Sequence, residues 1–311
     1  MSVRDELDER VSRASLKELG DIRIDDVLAF IDRGVERMPS YLDLYRRWET
    51  QQWAVSDLDF TPDKEWWASV PEDEVPLRLW ILRLFFNGEE RVTATLAPFV
   101  WAAPTPEIEI FLSTQMVDEA RHTVFFERYW REVPGTRSSD LEALLEEIRP
   151  DVNEGYNELF YHRLPGVAQR LASDPKDIEA LVEGITTYHL VVEGTLALTG
   201  QRFTLEQMRE MGQTHFGFYR GFTAVARDES RHLNFGIRFL QDMVRQDAAR
   251  FGPIIQRTLV ECLPLISGVT DPPGGDMRYY TTYGRTQEEV LNYALESLNR
   301  RLQAIGVNLA A

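Results

Sequence analysis

The chain has 311 residues, 43% of them apolar, which is enough for one large core, and nothing in its composition marks disorder. A formal net charge of −17 leaves no basic face for nucleic acid or an anionic membrane, and the single cysteine, Cys262, excludes a disulfide framework and any thiolate metal site. The opening Met1-Ser2-Val3-Arg4-Asp5-Glu6 has no apolar signal-peptide core and charges interrupt every long apolar run, so a cytoplasmic protein without a membrane span is expected.

In chain order, apolar residues recur at helical spacing from Ile22 to about Trp53, and Asp57 to Asp63 breaks the pattern as a turn. A long helix from about Glu74 to Val100 is apolar on nearly all sides, as a central bundle helix would be. After Pro104 and Pro106 a second long helix runs to about Pro134-Gly135, and shorter helices fill about 138–172. A third is expected from about Pro175 to Gly200. A fourth is expected from about Leu205 to Asp247, with a break near Gly217 or Gly221. One helix from about Ala248, a Pro/Gly loop at 271–275, an aromatic stretch (Tyr279, Tyr280, Tyr283) and a final helix from about Thr286 complete an all-α chain with no convincing strand. Residues 1–45 are expected to form an N-terminal helical extension, and 46–311 the main domain with its C-terminal helices.

The second and fourth long helices each carry Asp-Glu-x-Arg-His, as Asp118-Glu119-Ala120-Arg121-His122 and Asp228-Glu229-Ser230-Arg231-His232. Residues three apart on a helix share a face, about 5–6 Å apart at Cβ, so Glu119 with His122 and Glu229 with His232 can each reach one ion. Paired surface salt bridges are the plain alternative. A bundle site built this way needs one carboxylate from each of the other two long helices, as in ferritin-like di-iron proteins. Glu89 supplies the first, thirty residues before Glu119; Glu193, alone among apolar neighbours, supplies the second, thirty-six before Glu229. Glu90 points about 100° away from Glu89. Four buried carboxylates need two divalent cations, and oxygen-rich ligation with one imidazole per metal suits two iron ions, or one manganese and one iron, better than structural zinc. Asp118 and Asp228 are natural acceptors for the outer ring nitrogens of the ligand histidines. His189 flanks the site, whereas His162 and His215 are expected to be structural or exposed.

The set Glu89, Glu119-x-x-His122, Glu193 and Glu229-x-x-His232, with Trp53-x-x-x-Asp57-Leu58-Asp59-Phe60 upstream, resembles the ribonucleotide reductase small-subunit superfamily on a ferritin-like four-helix bundle, over roughly residues 50–245. Gly88-Glu89-Glu90-Arg91-Val92-Thr93, Tyr188-His189-Leu190-Val191-Val192-Glu193-Gly194 and Leu196-Ala197-Leu198-Thr199-Gly200 resemble its ligand-binding oxidase branch. That resemblance implies a Mn/Fe cofactor, a long-chain fatty acid whose carboxylate meets the metals, and a tyrosine–valine ether cross-link formed with O2. The matching positions are Val92 and Tyr188. Helical spacing places Val92 on the face of Glu89, while Tyr188 rests on the resemblance alone. Bridging by Glu119 and Glu229, with the other four ligands terminal, is likewise implied.

The expected activity is an O2-dependent oxidase that removes hydrogen from a C–H bond, fed by an unidentified electron donor and working as a homodimer. Phe85, Phe86, Leu96, Leu190 and Leu196 could line an acyl tunnel or be plain core. One rival is a radical-generating Mn/Fe reductase small subunit acting through a large subunit. Phe126 stands where the usual radical tyrosine would be, and the ending Gln303 to Ala311 has no aromatic residue for docking. Iron storage is the other rival and predicts a large shell.

Overall fold

A computed structural model describes residues 3–149 and 152–307, so Met1, Ser2 and the ending Asn308 to Ala311, on which the leader and docking-tail expectations partly rest, lie outside it. The described residues are helical with no strand, as expected. The helices that build the site are α1 (Ile24–Arg37), α2 (Tyr41–Thr50), α3 (Thr61–Trp67), α4 (Val75–Thr95) and α5 (Pro106–Glu132). Next comes α6, three abutting stretches: α-helix Ile178–Ile185, π-helix Thr186–Ala197 and α-helix Leu198–Glu210. Then follow α7 (Gly217–Gln246), α8 (Ala248–Val269) and α9 (Gln287–Ile305).

Local chemistry explains the ends. The α5 start has Pro106 in its first turn, Thr105 accepting from the Ile108 amide, and Glu107 and Glu109 against the helix dipole. Thr286 and Glu289 form a reciprocal capping box for α9. The expected helix from Glu74 to Val100 stops at Thr95, because Pro98 lacks an amide hydrogen and its ring would collide with the Ala94 carbonyl; a short helix, Ala97–Trp101, follows the bend.

Two boundaries differ from expectation. The third long helix does not stop at Gly200 but continues to Glu210, so the fourth begins at Gly217 rather than Leu205. Gly200 is mid-helix, and its bareness serves packing: a Cβ there would lie 2.8 Å from the Phe85 ring. The break expected near Gly217 or Gly221 occupies residues 211–216, directly before Gly217.

In the bundle, α4 packs on α5, α6 packs on α7, and α5 meets α7 across the centre, while α1 covers the outside of α7 and α8 and α9 flank α6. The helix most buried all round is α7, not the apolar α4: Arg227, Asp228, Glu229, Ser230, Arg231, His232 and Asn234 are all interior. Phe85, Phe86, Phe125, Phe126, Phe218 and Phe222 interlock nearby, with ring centroids 4.8 to 6.2 Å apart. Phe126 is therefore a packing residue in this cluster. Among the described residues, no helix is long and apolar enough to cross a membrane.

Phe216, the residue before α7, has no capping side chain; Asp63 of α3 caps that helix from a distance, accepting from the Gly217 amide at 2.8 Å and the Phe218 amide at 3.0 Å. Asp63→Ala is expected to lower stability by about 1–2 kcal/mol in urea unfolding, with Asp63→Asn keeping part of the cap.

Candidate metal centre

The two Asp-Glu-x-Arg-His runs face each other from α5 and α7 deep in the bundle, and α4 and α6 bring Glu89 and Glu193 to the same place. Two groups of donors result: Glu89, Glu119, His122 and Glu229, and then Glu119, Glu193, Glu229 and His232, the donor atoms of each lying within 4.8 Å of one another. Glu119 and Glu229 belong to both. All six residues are buried. His122 Nδ1 lies 3.4 Å from Glu89 Oε2, 3.4 Å from Glu119 Oε2 and 3.7 Å from Glu229 Oε1. His232 Nδ1 lies 3.1 Å from Glu119 Oε1, 3.3 Å from Glu193 Oε1 and 3.3 Å from Glu229 Oε2. His122 Nδ1 and Glu193 Oε2 are buried with no hydrogen-bond partner, as donor atoms aimed at cations would be. The residues fit a pair of oxygen-loving divalent ions.

Each histidine is oriented through its other nitrogen, and the pairing crosses between helices. His232 Nε2 meets Asp118 Oδ2 at 3.1 Å, and His122 Nε2 meets Asp228 Oδ2 at 3.4 Å. Sequence reasoning anticipated the aspartates but not the crossing, since spacing along one helix says nothing about the facing one. Arg231 Nη2 donates at 2.8 Å to both Asp118 and Asp228, and Arg121 bonds the same two carboxylates, at 2.9 Å to Asp228. The Trp48 and Trp53 indoles complete the set, donating to Asp118 at 3.0 Å and to Asp228 at 2.8 Å. Trp48 was missed, having no motif around it.

The π-helix solves the placement of Tyr188. On an α-helix five residues turn about 500°, leaving Tyr188 about 140° from Glu193. A π-helix closes its hydrogen bonds between residues five apart and brings such residues to one side. Tyr188 donates to Glu119 Oε1 at 2.6 Å. The same helix carries His189, whose Nε2 lies 3.0 Å from Gln115 Oε1, while Gln115 Nε2 donates to Glu193 Oε1 at 2.9 Å. Gln115, one turn before Glu119, was also missed. Glu90 stands apart, half-buried and paired with Arg91, while His162 and His215 are exposed.

Six buried carboxylates face two guanidinium groups here, leaving four negative charges. The protein's own protons respond. Burial pushes Glu89 up to about 8 against the pull of His122, and burial together with Glu229 raises Glu193 well above the carboxylate range. Burial opposes charge on His122 and His232, yet the surrounding carboxylates hold both imidazoles well above their usual range. For Asp228, burial is outweighed by Arg231, His122 and Arg121, and it stays ionised. Burial and then the nearby glutamates keep the Tyr188 hydroxyl protonated, and burial followed by His232 pushes His189 down to about 3.

A cavity opens from the centre toward the C-terminal segment. It touches Glu89, Glu119, Glu193 and Glu229 at one end, passes Val92, Tyr188 and Val192, and reaches Phe203, Tyr283 and Arg285. Its apolar wall includes Ile81, Leu84, Phe85 and Leu196. Of the residues named from sequence for a tunnel, Phe85 and Leu196 line it. Phe86, Leu96 and Leu190 do not, and are core on faces turned elsewhere.

No family model matches the chain. Several solved structures do, each over 87% of this chain and 94% of its own: R2-like ligand-binding oxidases, all point variants. A valine variant with an anaerobically reconstituted Mn/Fe cofactor is 28% identical with a TM-score of 0.73. Two tyrosine variants with aerobically reconstituted Mn/Fe are 29% and 28% identical, with TM-scores of 0.72 and 0.74. The likeness agrees with the sequence resemblance: the fold is that of the ferritin-like, ribonucleotide reductase small-subunit-like superfamily, and its neighbours are ligand-binding oxidases.

Because the histidines are held by the aspartates, Asp118→Asn is expected to weaken metal binding by roughly 10–100-fold in competition with a chelating dye, and Glu90→Gln to leave it unchanged. Metal uptake must also displace the protons that burial and the carboxylates retain. Calorimetry in buffers of different ionisation enthalpy should therefore show proton release at pH 7 that falls as pH rises past about 8, where Glu89 is already ionised.

Proposed function

We propose that the protein is an oxygen-activating dimetal-carboxylate oxidase of the cytoplasm, holding Mn and Fe or two Fe, that carries out two-electron C–H oxidation. Glu89, Glu119, His122, Glu193, Glu229 and His232 would hold the two metals, and Glu119 and Glu229, common to both donor groups, would serve as bridging carboxylates. The observation that carries this reading is the pair of donor groups overlapping in Glu119 and Glu229 at the inner end of an apolar cavity. The neighbouring structures, oxidases with Mn/Fe, support it. When bound, the metals supply the redox chemistry that lets O2 take two electrons from a C–H bond.

The chain's own residues direct that chemistry. The cavity wall excludes water and offers an acyl chain an apolar bed, with its carboxylate turned toward the metals, so a long-chain fatty acid or similar apolar ligand is the proposed occupant. Val92 lies one turn after Glu89 and, like Tyr188, faces this cavity. We assign these two residues to an ether cross-link. The Val92 side chain loses a C–H hydrogen, the Tyr188 hydroxyl loses its proton, a C–O bond forms, and O2 accepts the two electrons and two protons. Glu119 Oε1, 2.6 Å from the hydroxyl, is placed to receive the tyrosine proton. Reduction of the centre between turnovers falls to a separate electron donor.

A homodimer fits the outer face of α5, where Ile110, Val117 and Val124 are 41%, 51% and 51% exposed at sevenfold spacing. A two-fold axis at Val117 would set Ile110 against Val124 of the partner subunit, making the stripe self-complementary.

Peptide mass spectrometry of protein loaded with Mn(II) and Fe(II) without oxygen should reveal, only after air, a linked pair containing Val92 and Tyr188 with two hydrogens lost. Tyr188→Phe should abolish the link and retain metal. A linked pair absent from the wild type after air would remove the cross-link assignment. Val117→Cys should form an intermolecular disulfide under mild oxidant, and the comparably exposed Val260→Cys should not; equal behaviour of the two would refute the dimer face.

A further inference from the structure

The two halves of the centre match in their ligands and differ in what holds them. Glu193 accepts a hydrogen bond from Gln115 Nε2 at 2.9 Å, and Gln115 is itself held by His189, with Nε2 and Oε1 3.0 Å apart. Glu193 is ionised when it ligates a metal ion, and an ionised carboxylate can only accept, so in that state the Gln115 amide presents its NH2 to Glu193 and its oxygen to His189. His189 Nε2 must then carry the ring proton. Gln115 and His189 are both fully buried, so water does not compete for these bonds. The chain of contacts ties α5 to α6, and α7 closes it: a Cβ on Gly236 would lie 2.3 Å from His189 Cβ, so only glycine lets the imidazole sit there. Glu89, the counterpart of Glu193, receives no such bond among the described residues; its carboxylate lies 3.4 Å from the His122 ring.

We propose that Gln115 and His189 are positioning residues that clamp Glu193 in its ligating orientation, making the Glu193/His232 position the first of the two to take a metal ion. This rests on the dimetal reading above. A carboxylate fixed before the ion arrives has already given up its rotamer freedom, whereas Glu89 must be ordered by the ion itself. The unequal halves thereby allow one centre to load two ions in sequence and to tell them apart.

The test is an anaerobic titration of the full-length protein with Mn(II), following loss of the free-ion EPR signal, with anomalous scattering at the manganese edge on crystals given one equivalent. The wild type should bind in two steps about tenfold or more apart, with the first ion at Glu193 and His232. Gln115→Leu should weaken the first step by about tenfold or more and leave the second within about twofold. His189→Phe should act in the same direction, and His189→Gln, which restores a donor to the Gln115 oxygen, should preserve the separation. A general loss of packing would weaken both steps alike, so equal weakening overturns the clamp, as does an unchanged Gln115→Leu profile or a first ion at Glu89. A wild type that binds fewer than two ions overturns the dimetal reading itself, which separates the two failures.

Discussion

Everything at the centre of this protein depends on keeping four glutamates ionisable in a place without water. Burying such a cluster is prohibitive unless each charge has a partner. The chain meets that constraint in two layers. Arg121 and Arg231 each bridge Asp118 and Asp228, so the outer layer is neutral within the protein, and the two helices are locked to each other by the same bonds. The inner layer of Glu89, Glu119, Glu193 and Glu229 has no arginine or lysine among its donors; retained protons on its carboxylates and on His122 and His232 offset its charge, and two divalent ions would take their place. The aspartates connect the layers by fixing the histidines crosswise, so the geometry that admits the metals is set by the ion pairs that hold α5 against α7.

That arrangement explains why the most polar of the long helices is also the most enclosed. Arg227 and Arg231 of α7 are almost fully buried and donate to the Ala14 and Gln51 backbone carbonyls, the Gln51 side-chain oxygen and the two aspartates. Hydrophobicity alone therefore favoured α4 as the central helix. The two Asp-Glu-x-Arg-His runs were legible because helical periodicity converts a three-residue spacing into one face, and Glu89 and Glu193 stood out as lone charges in apolar stretches.

What stayed hidden has a common cause. Crossed His–Asp pairing, the Trp48 and Trp53 indole bonds and the Gln115 contact all join residues from different segments of the chain, and no single-helix pattern encodes them. Tyr188 was reachable only by resemblance, since the change from α to π geometry that turns it toward Glu119 has no periodic signature of its own. Gly200 misled because a glycine kept for close packing against Phe85 looks, in sequence, like one that ends a helix. The cavity lining was only partly readable for the same reason: Phe85 and Phe86 are adjacent, yet one faces the cavity and the other the core.

Cavity and centre together fit the proposed oxidase, in which bound metals would supply the oxidising power and the protein the selectivity. Tyr188 and Val92 line the glutamate end of the cavity beside its apolar wall, and Glu193 has a hydrogen-bond support that Glu89 lacks among the described residues. The most direct test of this account is a crystal structure of the protein loaded with Mn(II) and Fe(II), with anomalous data collected at both edges. The account predicts two metal peaks per chain, one among Glu89, Glu119, His122 and Glu229 and the other among Glu119, Glu193, Glu229 and His232. A single peak, or metal bound elsewhere while these six side chains keep to hydrogen bonds among themselves, would contradict it.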